Sequence, residues 1–230
     1  MQFIFDHMGS FFAMTGVLLI FTMIQVRGTQ TASEAVINNM VYSDMMGFSE
    51  FLQIDLSNMR TQTQTEDAIA ADNFTGGASY ECGITKSGDV TTVLTFPTLA
   101  DPHSGYSSST PGDAEIVLVS YALTDTGETI TIPKGDTEET VTLYSIERIV
   151  DAKSTGASNK FVTHFLVEFL NKGSTDFSSA SATCSTDLSK VRFELKFATE
   201  GVEYVTLDQK STSQTNVTRF GSTVDLPNME

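Results

Sequence analysis

Residues able to do chemistry are few and scattered in this chain. It has 230 residues and three histidines, His7, His103 and His164, and no two histidines stand at a metal-ligand spacing. There is no G-x-S-x-G elbow, no phosphate-binding glycine loop and no dinucleotide fingerprint. The sequence therefore nominates no catalytic residue, no cofactor and no metal ligand, and the chain is read as a non-enzyme. Two acidic runs, "DTGE" at 125–128 and "GDTEE" at 135–139, carry the oxygen ligands that calcium takes. They lack the regular spacing of a calcium loop, and solvated charged turns are the plainer reading. The titratable residue in the most unusual place is Asp6, just ahead of a run from Met8 to Val26 that contains no charge. A carboxylate in hydrocarbon must find a partner or become neutral. Two readings of Asp6 stand: a headgroup position with the span starting at Met8, or a pairing with a donor of a neighbouring subunit, such as its N-terminal ammonium.

The cysteines and the charge bound the setting. Cys82 and Cys184 are the only two cysteines, and no C-x-x-C spacing suggests zinc or redox chemistry. One disulfide in an oxidising compartment is expected, with two buried thiols as the other reading. "NFT" at Asn73 and "NVT" at Asn216 would permit glycosylation, but Ser/Thr-rich chains produce such triplets by chance. The formal net charge is −16, from 29 acids and 13 bases. A surface so acidic repels phosphate, and no nucleic-acid partner is expected.

The element that must position Asp6 is a helix. The 19 uncharged residues from Met8 to Val26 would rise about 28 Å, close to the thickness of the bilayer hydrocarbon. A positive n-region and a small-x-small cleavage site are not present around it, so the segment is expected to be retained rather than cleaved as a signal. Gly9, Ser10, Ala13, Thr15 and Gly16 are small enough to let apolar helices approach closely. After Ser33 an amphipathic pattern resumes: Ile37, Val41, Met45, Phe48, Leu52, Leu56 and Met59 follow one helical stripe. That stripe is expected to lie on a sheet. The first half of the helix must then be covered by lipid or by other copies of itself.

Beyond the polar stretch "TQTQTEDAIAADNFTGGASYECG", read as a connecting loop, the period of the apolar residues falls to two. Strands are expected at Thr91–Phe96, Glu115–Leu123, Thr129–Ile132, Glu139–Val150, Phe161–Leu170, Lys190–Phe197 and Val202–Leu207. In "VRFELKF", Val191, Phe193, Leu195 and Phe197 alternate with Arg192, Glu194 and Lys196, a sheet with one wet face. The runs "TDTGE", "PKGDTEE" and "DAKSTGASN" have turn chemistry. The expected class is α+β: a long N-terminal helix, hydrophobic in its first half and amphipathic in its second, packed on an antiparallel β-sheet body. The division falls at 1–60 for the membrane or assembly helix and 61–230 for the β-rich domain.

This order of parts resembles that of type IV pilin-like proteins, including the pseudopilins of type II secretion. "FSEFLQIDLSNMR" looks like the helix end of the large minor pilins and J-type pseudopilins. "VSYALTDTGE" with "VTLYSIERIV" is similar to their strand pair, and "LSKVRFELKF" to their late strand. The phrases fall in order over most of the chain. The family's leader, a short basic segment ending in Gly before Phe, is not matched, since Ser10 follows Gly9. Nor does a glutamate follow in the helix, and Asp6 would stand in for the family's helix glutamate, which neutralises a neighbour's N-terminus, in a chain beginning at or very near Met1.

The resemblance implies a structural subunit of an extracellular filament or pseudopilus. It would be anchored in the membrane before assembly, with partners that are copies of itself and related pilin-like subunits. Phe3, Phe5, Asp6, Phe11, Phe12, Leu18, Leu19 and Phe21 would be the assembly residues. The alternative is a single-pass membrane-anchored surface or virion protein with a β-rich binding ectodomain.

Overall fold

The computed structural model describes residues 2–76, 81–100, 115–134, 137–157, 161–177, 188–200, 204–205, 211–212 and 215–226. Helix α1 runs without interruption from Gln2 to Ser57. No proline occurs before Pro97, so nothing removes a donor from the i→i−4 ladder. Gly9, Gly16, Gly28 and Gly47 each cost about 1 kcal/mol relative to alanine, a cost spread over many turns. Where a connecting loop was expected, a second helix, α2, spans Gln62–Ala70. Thr61 starts it with a capping box: its hydroxyl accepts from the Gln64 amide at 3.0 Å, and the Gln64 side chain accepts from the Thr61 amide at 3.1 Å.

The strands are β1 (Gly83–Ser87), β2 (Val90–Leu99), β3 (Ile116–Lys134), β4 (Thr137–Val150), β5 (Lys153–Ala157), β6 (Val162–Asn171), β7 (Leu188–Glu200), β8 (Tyr204–Val205), β9 (Ser211–Thr212) and β10 (Thr215–Asp225). Eight of them form one antiparallel sheet, ordered β1-β2-β3-β4-β6-β7-β10 with β5 beside β4, while β8 and β9 pair with each other. The chain divides into two compact units. One comprises residues 1–42 and 201–214, and the other residues 43–200 and 215–230. In the first, α1 is exposed at nearly every described position up to Met40.

The second unit contains the large sheet and its core. Strands β4 and β6 share a single register pair, Tyr144↔Val162, because the end of β4 is occupied by β5. The two parts of the sheet are tied elsewhere by the Val167 amide, which donates to the Thr91 hydroxyl at 3.0 Å. Leu94, Phe96, Val119, Tyr121 and Ile146 from the first part, and Phe165, Val167, Phe193 and Leu195 from the second, are almost fully buried. At roughly 2 kcal/mol for each such side chain, these residues dominate the favourable term. A smaller cluster of Ile130, Leu143 and Ala198, with Val141 against it, closes the other end of the β3–β4 ribbon.

The expected α+β class is overturned. The structure is mostly antiparallel sheet, 50% strand against 34% helix, and the helical part is minor. Two physical reasons account for the shift. "TDTGE" does not end a strand but sits inside β3 as a bulge between Asp125 and Thr129. Gly127 takes φ +75 there and its amide donates to the Asp125 carboxylate at 2.8 Å. In addition β1, β5 and β10 form in stretches without a clean apolar alternation. The β4–β5 connection is a two-residue turn with positive φ at both Asp151 and Ala152, the geometry that matches strand twist. Asp151 is held there by accepting from the Leu118 amide at 3.1 Å and the Thr75 hydroxyl at 2.5 Å.

Candidate functional site

The first candidate is the apolar length of α1. Ser10–Ser33 is long and apolar enough, by length and composition, to cross a membrane, and its apolar window is not buried among the described residues. Phe11, Phe12, Leu18, Leu19 and Phe21 are all exposed there, together with Met14, Val17, Ile20, Met23, Ile24 and Val26. That makes eleven large apolar side chains in sixteen residues, far beyond the scattered exposure normal for a soluble surface. Phe3, Phe5 and Asp6 lie on the helix backbone, and their side chains are outside the described part of the structure.

The second candidate is a buried ionic cluster, which the sequence reading did not foresee. Asp55 sits in the last turn of α1 between Leu52 and Leu56, and all three are fully buried. Its carboxylate accepts from the Arg148 guanidinium at 2.7 Å (Nε) and 3.1 Å (Nη2) and from the Tyr121 hydroxyl at 2.5 Å. Arg148 Nη1 also donates to the Thr155 hydroxyl at 3.0 Å. Tyr121 is packed between rings, edge-on to Phe48 at 5.6 Å and stacked with Phe96 at 6.2 Å. The backbone carbonyl of Asp55 accepts from the Thr98 hydroxyl at 3.0 Å. The last turns of α1 are thereby fastened to β2, β3 and β4. The signal in the sequence was an acid inside an apolar stripe, Leu52-x-x-Asp55-Leu56. Its partners lie 66 and 93 residues away, which no local pattern reveals.

This cluster has a pH signature. Burial, then the neighbouring Asp55 charge, raise the Tyr121 phenol well above its ordinary value, against an opposing pull from Arg148. A group whose folded value is raised contributes stability that is fully present below its unfolded value, near 10, and is lost as pH rises above it. The wild-type chain will therefore lose stability above about pH 10 by up to about 1.4 kcal/mol per pH unit from this residue. Tyr121→Phe will be less stable at neutral pH by about 1–3 kcal/mol, with Asp55 short of a donor, but will lack that alkaline component. Chemical denaturation from pH 8 to 11 measures both.

A third feature is a shallow groove of about 530 Å³ on the wet face of β6, β7 and β10, lined by Leu166, Glu168, Arg192, Glu194, Arg219 and Thr223 among others. Its charges are matched within it: Arg192 with Glu168 at 2.5 Å, and Glu194 with Arg219 at 2.5 Å and Lys196 at 3.2 Å. Burial works to raise the Glu194 carboxyl, but the bonds from Lys196 and Arg219 prevail and hold it below the usual range. Arg192 also lies over the Phe177 ring at 4.4 Å. Such exposed pairs add little stability. His164, on the same face, is held below its ordinary value by burial and then by Lys196.

No group of three metal-ligating side chains is gathered among the described residues. Of the "DTGE" acids, Asp125 accepts from the Gly127 amide within the bulge, and His103, Asp136 and Cys184 lie outside the described residues. Cys82 is buried, and there is no free cysteine among the described residues. No known protein family, curated protein or solved structure matches the chain.

Proposed function

We propose that the chain is a structural subunit of an extracellular pilus-like filament or pseudopilus, held in the membrane before assembly. Copies of α1 bury their apolar lengths together as a central bundle, and the β-rich units form the wall. The observation that carries this reading is the row of eleven exposed large apolar side chains from Phe11 to Val26, which no part of the chain covers among the described residues and whose exposure to water is costly. The partners are copies of this chain and related pilin-like subunits. Asp6 is the register group, because a carboxylate among apolar helices demands a partner. No catalysis is assigned.

A single-pass anchor for a β-rich binding domain, at a cell surface or on a virion, is the second reading. It is favoured by the same Ser10–Ser33 length. Removing detergent from the full chain in the presence of lipid vesicles separates the two. Filament subunits will sediment as polymer away from the lipid, whereas anchored monomers will float with the vesicles, and complete flotation would end the filament reading.

A Cys82–Cys184 disulfide is also proposed. Closing a loop of about 100 residues removes roughly 4–5 kcal/mol of unfolded-chain entropy in the loop model. Alkylation of the unfolded, unreduced chain is expected to modify neither cysteine, and alkylation after reduction both. Two modified thiols without reduction would refute the pairing.

A further inference from the structure

The wet face of β6, β7 and β10 has a charge unlike that of the chain as a whole. It gathers Lys190, Arg192, Lys196 and Arg219, four of the 13 bases in a chain of net charge −16. Lys190 is matched with Asp225 at 2.6 Å, and Arg192 with Glu168 at 2.5 Å. Glu194 serves two bases, Arg219 at 2.5 Å on Oε2 and Lys196 at 3.2 Å on Oε1. One positive charge is therefore in excess beside Glu194. Lys86 and Asp89, whose charges reach the same face, add one of each sign. His164, held below its ordinary value, adds no charge at neutral pH.

The groove of about 530 Å³ lies at that place, within the size range of small-ligand sites. Leu166, Glu194 and Gly221 stand in register across its middle. Gly221 does not take the positive φ that would require glycine, and its missing side chain leaves the space between Arg219 and Thr223 open. The Glu168 and Glu194 side chains are 15% and 16% exposed, whereas those of Arg192 and Arg219 are 47% and 69% exposed. The carboxylates thus sit under the guanidinium groups and hold them in place. Arg192 is held a second time, over the Phe177 ring. Arg219 meets Glu194 through Nη2, and Arg192 meets one oxygen of Glu168 through Nε and Nη2. A guanidinium has five N–H donors, so each keeps donors for a ligand.

The two ends of the groove ask for different chemistry. At Arg219 the excess cation calls for one carboxylate. At the other end Arg192 stands in register with Glu168 on one side and Thr223 on the other. That mixture of donors and acceptors suits hydroxyl groups, which do both. We infer that the groove binds an acidic sugar unit of the hexuronic acid class. Its carboxylate lies on Arg219 and Lys196, and its hydroxyls on Arg192, Glu168 and Thr223. Every residue of the site belongs to the unit of residues 43–200 and 215–230, so binding is the same whether α1 ends in a filament or in a bilayer.

Saturation-transfer NMR of the full chain in detergent, with glucuronate, glucose, acetate and N-acetylglutamate amide as probes, tests this. Glucuronate is expected to bind at least about tenfold more tightly than each of the other three. Arg219→Gln, a change at an exposed side chain, should weaken glucuronate at least about tenfold with the circular dichroism unchanged. Acetate binding as tightly would mean an adventitious anion only, and glucose binding as tightly would mean that the charge is not read. N-acetylglutamate amide binding as tightly would mean a groove for acidic side chains of a protein. Each of these results overturns the inference, as does undiminished binding to Arg219→Gln or no glucuronate binding up to about 10 mM.

Discussion

Replacing Arg148 by methionine is expected to destabilise the chain by about 3–5 kcal/mol, enough to remove much of the stability of an ordinary domain. Asp55 is fully buried, and the Arg148 side chain is 14% exposed. Deleting the guanidinium leaves a desolvated carboxylate held by the Tyr121 hydroxyl without its countercharge. The magnitude comes from that orphaned charge rather than from the intrinsic strength of the pair. The double variant Asp55→Asn/Arg148→Met is therefore expected to be more stable than the sum of the two single changes implies, by about 0.5–3 kcal/mol. Urea denaturation of the four proteins gives this coupling. Strict additivity would mean that the two groups do not act on each other, contrary to their 2.7 Å contact.

Removing residues 1–27 is expected to convert a protein that requires detergent or assembly into a soluble monomer. Eleven large apolar side chains are exposed in that stretch, and burying each is worth about 2 kcal/mol. About 20 kcal/mol of gross association free energy per subunit is lost with it, against an entropic cost of association of about 4–15 kcal/mol. The sheet and its core lie within residues 43–200 and 215–230, so the truncated chain keeps them. Light scattering of the truncated protein will report a monomer, and sedimenting polymer from that protein would show that assembly does not depend on the helix.

The parts of the fold legible in the sequence are those governed by local periodicity. Val191, Phe193, Leu195 and Phe197 are buried as their alternation required, and Arg192, Glu194 and Lys196 face the wet side. On α1, Val41, Met45, Leu52 and Leu56 are buried and Phe48 is half-buried, following the stripe, and Met59, just past the end of the helix, is buried too. What failed were readings that depended on single residues acting in tertiary context. "DTGE" has turn composition but forms a bulge, because the facing strand β4 continues past it and Gly127 absorbs the extra residue. β10 was missed because "TNVTRFGSTVD" contains Gly221 and no apolar run. It is held instead by eleven register pairs with β7, from Thr215↔Glu200 to Asp225↔Lys190. Those misreadings made the sheet look smaller than it is, and the class came out α+β instead of mainly β. Of the candidate sites, the apolar helix was plain from hydropathy. The Asp55–Arg148–Tyr121 cluster was not, because its three members come from one helix and two distant strands. Each lies inside a legible phrase, "QIDLS", "SYALT" and "IERIV", but no local pattern says that they meet.

Electron microscopy of the full chain after detergent is withdrawn without added lipid tests the central claim most directly. The account predicts extended helical filaments of uniform width, with α1 density along the axis and the β-rich units outside. Particles that stay discrete in detergent and enter only vesicles when it is removed would contradict it.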